Sequence, residues 1–342
     1  MGVPVSWKER MRELGFARSV WTGRPFNCLL QVTNRCNMKC SFCDFWPNGV
    51  SPQEELSIEE LRSISAQLSG LGRFLVSIEG GEPFVRPDLV DIVRAFSDDH
   101  LPALFTNGWY VTTENARALF EAGLAQVGVS IDYAVSSRHD TKRVLPGAFE
   151  RAWQAVEAFK AAAPHGGKQV HVITVLMSDN VDQIEPLLEL SAARGIGHVV
   201  TLLSKHGFRR GRGGDEWPTE AVSGKLLSLW KKHSHWRYPG EYVEKIDTFL
   251  SGGPMPTCRA GIQSFNIDHV GNVSACIERI DRIAGNLRRE PLAAIHARLA
   301  ADREEVSKCQ QCWTACRGFG QLMGEGGTFR GWYDLATRMR SM

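Results

Sequence analysis

From residue 28 to about residue 204, short apolar stretches alternate with amphipathic ones. The amphipathic segments have helical periodicity, and several begin at a capping residue or a proline and end at a glycine. Strands that are almost continuously apolar and separated by helices predict a parallel sheet buried on both faces. The six predicted strands span residues 28–33, 73–79, 101–107, 125–132, 170–177 and 197–203.

Six β–α repeats are two short of a complete eight-fold barrel. The α/β pattern therefore predicts either a partial (β/α)6 TIM-like barrel or an open wound sheet. In both folds, ligands bind at the C-terminal ends of the strands. This rule matters because the unusual motifs of the chain follow those ends.

The alternation stops after residue 204. The stretch 205–217 is basic and rich in glycine, and SGGPMP at 251–256 is typical of a linker. The final 85 or so residues hold five of the nine cysteines, which predicts a smaller second module. The predicted division is an N-terminal helical extension at 1–27, a domain at 28–250 made of the barrel (28–204) and a basic loop with a helical extension (205–250), and a cysteine-rich module at 251–342.

Composition excludes several classes of protein. The hydrophobic fraction of 43%, the charged fraction of 23% and the net charge of +2 are typical of a globular protein and do not indicate nucleic acid binding. No apolar run approaches the roughly 20 residues that span a membrane, and the N-terminus lacks the apolar core of a secretory signal. We therefore expect a cytoplasmic protein that binds neither nucleic acid nor membrane. In that reducing compartment, nine clustered cysteines indicate metal or redox sites instead of disulfides.

The first cluster is Cys36, Cys40 and Cys43, spaced C-x3-C-x2-C directly after the first predicted strand. A thioredoxin-like redox pair needs only two thiols, and structural zinc uses four ligands. Iron–sulfur clusters are held by thiolates on short loops, and three thiolates leave one iron open. An open position is characteristic of a catalytic metal site.

With Phe42 before the third cysteine, this spacing resembles that of the radical S-adenosylmethionine (radical SAM) superfamily. Gly80-Gly81-Glu82-Pro83 after the second strand is similar to the GGEP motif of that family. Two further segments similar to that family lie at the ends of the third and fourth predicted strands. The resemblance as a whole extends over residues 28–204. These segments are Thr106-Asn107-Gly108 and Ser130-Ile131-Asp132.

The resemblance implies that the three cysteines bind a [4Fe–4S] cluster whose open iron is chelated by the methionine part of SAM. One electron from an external reductant such as flavodoxin or ferredoxin would then cleave SAM to methionine and a 5′-deoxyadenosyl radical. The radical would abstract hydrogen from a C–H bond of the substrate, and the protein would supply placement and exclusion of water.

The resemblance also assigns roles in binding SAM, alongside Phe42. Gly80 and Gly81 would allow close backbone approach to the methionine part, and Pro83 would stiffen the turn. Glu82 would accept a hydrogen bond from the ammonium group. The remaining three residues would contact SAM or, alternatively, serve as helix caps and turn residues. They are Asn107, Ser130 and Asp132.

The C-terminal cysteines resemble the auxiliary-cluster modules called SPASM and, in shorter form, twitch. Five cysteines are too few for two clusters, so one further [4Fe–4S] cluster is expected. Its predicted ligands are Cys258 and Cys276, which flank a predicted hairpin, with Cys309 and Cys312. Cys316 is then left as an alternative to Cys312 or as a catalytic thiol, and zinc is the alternative metal.

The predicted activity is oxidation of a small anionic metabolite, with the auxiliary cluster as electron acceptor. Epimerisation with a cysteine hydrogen donor (Cys316 or Cys28), modification of a ribosomal peptide, and a non-catalytic iron–sulfur or zinc protein that binds a partner remain alternatives. The basic loop would bind the anionic group or simply be solvated; its residues are Lys205, Arg209, Arg210 and Arg212.

Overall fold

The computed structural model describes residues 7–207, 217–323 and 329–340. Within these residues, one nine-stranded sheet forms the centre of the fold. Its strands are β1 (Asn27–Thr33), β2 (Leu75–Gly80), β3 (Leu101–Thr106), β4 (Gln126–Ser130), β5 (Val170–Leu176), β6 (Gly197–Leu202), β7 (Ser264–Ile267), β8 (Asn272–Ser274) and β9 (Ile283–Asn286).

All six strands predicted between residues 28 and 204 are present, and they pair in parallel. They lie in unbroken chain order from β1 to β6. A doubly wound sheet requires a reversal of strand order, whereas consecutive parallel strands with one-sided helices form a barrel wall. The strand order therefore identifies a partial (β/α)6 TIM-like barrel.

The helices connect the strands and cover the sheet. Neighbouring helices contact one another, with α2 against α3 and α3 against α4 in the outer layer. The helices are α1 (Trp7–Trp21), α2 (Ile58–Leu71), α3 (Leu89–Ser97), α4 (Thr113–Glu121), α5 (Ser136–Arg143), α6 (Ala148–Ala162), α7 (Ile184–Ala193), α8 (Ser223–Lys232), α9 (Gly240–Leu250), α10 (Leu292–Ala301), α11 (Arg303–Ser307), α12 (Ala315–Met323) and α13 (Phe329–Arg340).

Local sequence accounts for the helix boundaries and the inward faces. At α2, the Ser57 side chain accepts a hydrogen bond from Glu60 N while the Glu60 side chain accepts one from Ser57 N, which is a capping box. The apolar face of the same helix, including Leu61 and Ile64, packs with the β-strands in the largest core cluster. The core thus lies between sheet and helices, and the loops at the strand ends remain available for function.

The C-terminal segment continues the barrel sheet. β7 pairs in parallel with β1, from Asn27 opposite Ser264 to Leu30 opposite Ile267. β8 pairs antiparallel with β7, as the hairpin predicted between Cys258 and Cys276 requires. The sheet therefore joins the two cysteine-bearing parts of the chain, and the domain boundary at residue 251 stays a prediction.

Among the described helices, none is long and apolar enough to span a bilayer. Three residues of the basic loop, Arg209, Arg210 and Arg212, lie outside the described residues.

Candidate functional site

The loop with Cys36, Cys40 and Cys43 begins where β1 ends, at the C-terminal edge of the barrel. Cys40 is 8% exposed, and the other two thiols are half-buried. Burial raises the pKa of the Cys36 thiol to about 12, and Glu82, Cys40 and Cys43 add to this effect although Met38 N donates to its sulfur. Thiols that are buried close together become thiolates only with a cation nearby, so this donor set fits an iron–sulfur cluster.

Gly80 and Gly81 lie against the backbone that leads into this loop. Gly80 has φ +127°, and a Cβ there would overlap the carbonyl oxygen of Thr33. A Cβ on Gly81 would overlap the carbonyl oxygen of Arg35, and Gly81 N donates to Thr33 O at 2.7 Å. The two glycines therefore position the cysteine loop, and their contact with SAM stays a prediction.

Glu82 is fully buried behind the same loop. Its carboxylate accepts hydrogen bonds from Thr106 Oγ1 (2.7 Å), Phe84 N (3.1 Å) and Asn107 N (2.8 Å). Burial raises the pKa of Glu82 to about 7 even though these three donors and Arg143 favour the ionised form. A carboxylate accepts about four hydrogen bonds, so one acceptor site remains, on Oε2.

Asn107 and Ser130 occupy neighbouring strand ends and differ in their contacts. The Asn107 amide donates to Asn37 Oδ1 in the cysteine loop (2.9 Å) and accepts from Trp109 N (3.0 Å). Within the described part of the chain, the half-buried Ser130 hydroxyl has no hydrogen-bond partner. Asn107 therefore shapes the loop, whereas Ser130 is available to a ligand.

Asp132 is completely buried, and it does not cap the following helix. Its Oδ2 accepts from Arg143 Nε (3.0 Å) and Nη2 (2.6 Å), and its Oδ1 accepts from Val175 N (3.0 Å). Arg143 Nη1 lies 3.9 Å from Cys40 Sγ, and its guanidinium stacks 5.4 Å from the Phe42 ring centroid. Burial disfavours the charged guanidinium, but Asp132 and Cys40 raise the pKa of Arg143 above its ordinary value.

Arg143 was not among the residues predicted from the sequence. It lies 103 positions from Cys40 along the chain, and basic residues in the last turn of a helix, here Lys142 and Arg143, are usual because they complement the helix dipole. The one available signal was its distance of eleven residues from Asp132, which allows the chain to fold back.

An apolar cluster surrounds the cysteine loop. Met38, Cys40 and Phe42 pack with side chains from the ends of β4, β5 and β6; these are Tyr133, Met177 and Leu203. Trp109 and Trp217 pack against this cluster, and Lys205 Nζ lies 4.1 Å from the Trp217 ring centroid. Of the predicted substrate residues, Lys205 is therefore the one that the structure places beside the site.

Four of the C-terminal thiols lie within electrostatic reach of one another. Burial raises the pKa of Cys276, and Cys312 and Cys258 add to it. Burial also raises the pKa of Cys258 and, to about 12, that of Cys312, with Cys309 adding in both cases. Four thiols provide the donor set of a closed [4Fe–4S] cluster. Cluster ligands bind separate irons, and no three His, Cys, Asp or Glu side chains in the described residues converge on one metal ion.

Cys316 lies near Tyr238 and Tyr242. Burial raises the pKa values of both tyrosines and the Cys316 thiol raises them further, while Cys312 also raises that of Tyr242. Cys316 also packs on a small apolar cluster of Leu29, Phe45 and Ile277, against which Cys43 packs as well. The two cysteine regions therefore share one patch of core.

Comparisons with known proteins agree with these features. A family model described as the Radical SAM superfamily matches residues 30–191. The chain is 30% identical over 318 residues to the mycofactocin maturase MftC of Mycolicibacterium smegmatis, covering 86% of this chain and 77% of that protein. It is 26% identical over 326 residues to an AdoMet-dependent heme synthase of Methanosarcina barkeri, covering 85% and 89%.

Solved structures share the fold. Streptococcus suis SuiB superposes with a TM-score of 0.63 at 15% identity, covering 94% of this chain and 77% of that one. The structure of anSMEcpe with bound AdoMet and Cp18Cys peptide gives a TM-score of 0.63 at 18% identity, covering 92% and 96%. With the two thiol groups and this fold, the chain belongs to the radical SAM superfamily, as an enzyme that uses SAM and [4Fe–4S] clusters and has a C-terminal module of the SPASM/twitch type.

Proposed function

We propose that this enzyme oxidises a carbon centre of its substrate and that a cluster held by Cys258, Cys276, Cys309 and Cys312 accepts the electron. When bound, SAM and the two clusters would supply radical chemistry that removes one hydrogen atom, one electron and one proton from the substrate, with the electron passing to the second cluster. The substrate thus loses two hydrogen atoms in total. The supporting observation is that Cys43 and Cys316 pack on one apolar patch, so the loop of the first three cysteines and the C-terminal cysteine segment meet there.

The chain's own residues would hold SAM beside Cys36, Cys40 and Cys43. The remaining acceptor site on Glu82 Oε2 suits the ammonium group of SAM. Arg143 Nη1, which donates to the Cys40 sulfur, suits the SAM carboxylate, and the Ser130 hydroxyl at the C-terminal end of β4 is a further candidate contact. We accordingly propose that Asp132 orients Arg143 and does not contact SAM itself.

The surroundings of the loop support a substrate that is largely apolar and carries an anionic group. Met38, Tyr133 and Met177 form buried apolar and aromatic packing around the loop, which would help to exclude water from a reactive radical. Lys205 on Trp217 adds a cation beside that packing. A small anionic metabolite fits this arrangement, and Arg209, Arg210 and Arg212 stay predicted contributors.

A peptide is the second candidate for the substrate. One relative is named a maturase, and SuiB has been solved bound to the precursor peptide SuiA.

The external reductant would be flavodoxin or ferredoxin. The grouping of eight of the nine cysteines into two clusters supports the cytoplasm as location.

Epimerisation is less well supported, because it needs a thiol that reaches the substrate. Cys28 is completely buried in the barrel core, so Cys316 would be the donor. A thiol donor exchanges with water, so an epimerase would introduce solvent deuterium into its product. A dehydrogenase of the proposed kind would form a product that lacks two hydrogen atoms and contains no solvent deuterium at the oxidised carbon.

Anaerobic reconstitution tests the proposal. Wild-type protein should bind about eight irons, and Cys258→Ala and Cys36→Ala should each lose about four. Reduced Cys258→Ala should still form 5′-deoxyadenosine from SAM, whereas Cys36→Ala should not. Incubation with small-molecule and peptide fractions of a host extract, followed by mass spectrometry, then identifies the substrate class.

Two results would contradict the proposal. Wild-type protein that leaves SAM intact under strong reductant would remove the radical chemistry altogether. Cys258→Ala protein that still forms the dehydrogenated product at the wild-type rate would show that the second cluster is not the electron acceptor.

A further inference from the structure

Arg317, in the first turn of α12, is a buried arginine beside the four C-terminal thiols. It is 7% exposed, and it donates from Nη1 to Cys312 O (2.8 Å) and from Nη2 to Pro256 O (2.9 Å). Within residues 7–207, 217–323 and 329–340, its Nε has no hydrogen-bond partner, and both of its recorded acceptors are neutral carbonyls.

A guanidinium cannot discard its charge at physiological pH, so a buried one needs a compensating anion. Its two hydrogen bonds place it beside two of the predicted ligands, because one acceptor is the carbonyl of Cys312 and the other is that of Pro256, two residues before Cys258. The guanidinium also lies 5.9 Å from the Trp313 ring centroid, which is a neutral group. A [4Fe–4S] core with four thiolates is anionic, and its sulfurs accept hydrogen bonds, so it would satisfy both the charge and the Nε–H group.

We propose that Arg317 is a positioning residue that raises the reduction potential of the auxiliary cluster, by holding a permanent positive charge against its four-thiolate site. The inference rests on the proposed function, in which that cluster accepts one electron from the substrate radical. Reduction adds one negative charge to the site. A buried cation therefore stabilises the reduced form more than the oxidised one, and it favours electron transfer toward the cluster.

An anaerobic redox titration of the reconstituted holoenzyme, followed by electron paramagnetic resonance, tests this role. Arg317→Gln removes the charge and should lower the equilibrium constant for reduction of the auxiliary cluster at least tenfold, which is about 59 mV for a one-electron couple. Arg317→Lys keeps the charge and should retain most of the wild-type midpoint. The SAM-binding cluster should keep its midpoint in both variants.

Gln321→Glu is a second route to the same charge change. The Gln321 amide donates to Thr257 O (2.5 Å) and to Pro256 O (2.9 Å), the carbonyl that also accepts from Arg317. A carboxylate there would bring a negative charge beside the guanidinium and would lose both bonds, so Gln321→Met, which loses the same bonds without adding charge, is its control. Gln321→Glu should also lower the auxiliary midpoint. If Arg317→Gln protein fails to retain its iron, the midpoint potential of Gln321→Glu protein tests the role of the charge instead, because Arg317 is present in that variant.

Arg237→Gln is the matched control. Arg237 is also largely buried, donates to a carbonyl (Gly167 O, 3.1 Å) and has an unpartnered Nε among the described residues. It lies against Gly197, the first residue of β6, at the opposite end of the strands from the cysteine loop. Its replacement should shift neither midpoint.

The inference would be overturned if Arg317→Gln protein that retains its iron has the wild-type midpoint potential of the auxiliary cluster. If Arg317→Gln protein loses its iron, the same result in Gln321→Glu protein would overturn it. So would an equal fall in Arg317→Lys and Arg317→Gln, since that result would reflect lost packing and not lost charge. Failure of the proposed function is seen separately, as full iron content in Cys258→Ala protein.

Discussion

Replacing Asp132 by asparagine removes the charge of one member of a buried ion pair and leaves the shape of its side chain almost unchanged. The carboxylate is fully buried and accepts two hydrogen bonds from Arg143 through Oδ2. Its other oxygen accepts from Val175 N, and an asparagine Oδ1 can keep that bond. The substitution therefore isolates the ion pair, because an amide N–H₂ replaces the oxygen that faces the guanidinium.

Removal of one partner from a buried pair leaves an uncompensated charge and costs about 3–5 kcal/mol. We expect Asp132→Asn to lower the free energy of unfolding by that amount. The double variant Asp132→Asn/Arg143→Met should be more stable than Asp132→Asn alone, since it no longer buries an unpaired guanidinium. Arg143 also contacts Cys40, so Asp132→Asn should retain less iron at the first cluster.

Urea unfolding of the reduced, cluster-free chain measures these differences, with tryptophan fluorescence and far-UV circular dichroism as two probes that must coincide. Glu185→Gln is the matched control, because the exposed Lys232–Glu185 pair (2.6 Å) is screened by solvent and should contribute little to stability. A loss below about 1 kcal/mol in Asp132→Asn would refute the reasoning. A double variant less stable than the single one would do the same.

Three further predictions follow from other parts of the chain. Gly81→Ala would overlap a carbonyl of the cysteine loop and should reduce iron bound at the first cluster, whereas Gly70→Ala in α2 meets open space and should leave iron content unchanged; equal iron in both variants would contradict this. Burial lowers the pKa of His171 from 6.5 to about 3, so the unfolded chain binds one more proton between these values and stability falls as the pH drops below 6.5. His171→Phe should therefore lose about 2 kcal/mol less stability than wild type between pH 7 and pH 5 in urea unfolding, and an identical loss would exclude a buried neutral histidine. Cys312→Ser should lose about four irons and Cys316→Ser none, and the reverse pattern in an iron assay would make Cys316 the ligand.

The sequence predicted those parts of the site that lie in short contiguous motifs. The cysteine spacing, Glu82 and the polar residues at the strand ends were recognisable because each lies at the end of a predicted strand or just after it. The structure places them at one edge of the barrel. The sequence did not show why positions 80 and 81 require glycine in this fold. Their nearest neighbours are the carbonyls of Thr33 and Arg35, on an adjacent strand and loop, and only the pairing of β1 with β2 brings these groups together.

Contacts between distant segments account for what the sequence could not predict. Arg143 depends on a fold-back of α5 onto the cysteine loop, and Arg317 depends on the packing of α12 against the segment before β7. Nor could the apolar pattern choose between a partial barrel and a wound sheet, because both bury parallel strands on two faces. That choice depends on the order of the strands in space, which local hydrophobicity does not encode.

The pairing of β7 with β1 has a consequence for how the chain can be divided or recombined. β1 would become an edge strand if the C-terminal hairpin were removed, and all seven of its residues are buried. A flat, apolar edge with unpaired N–H and C=O groups is a template for pairing with another chain. A fragment that ends at residue 250 should therefore aggregate on expression, and any chimera that exchanges the C-terminal segment must bring a strand able to cover β1.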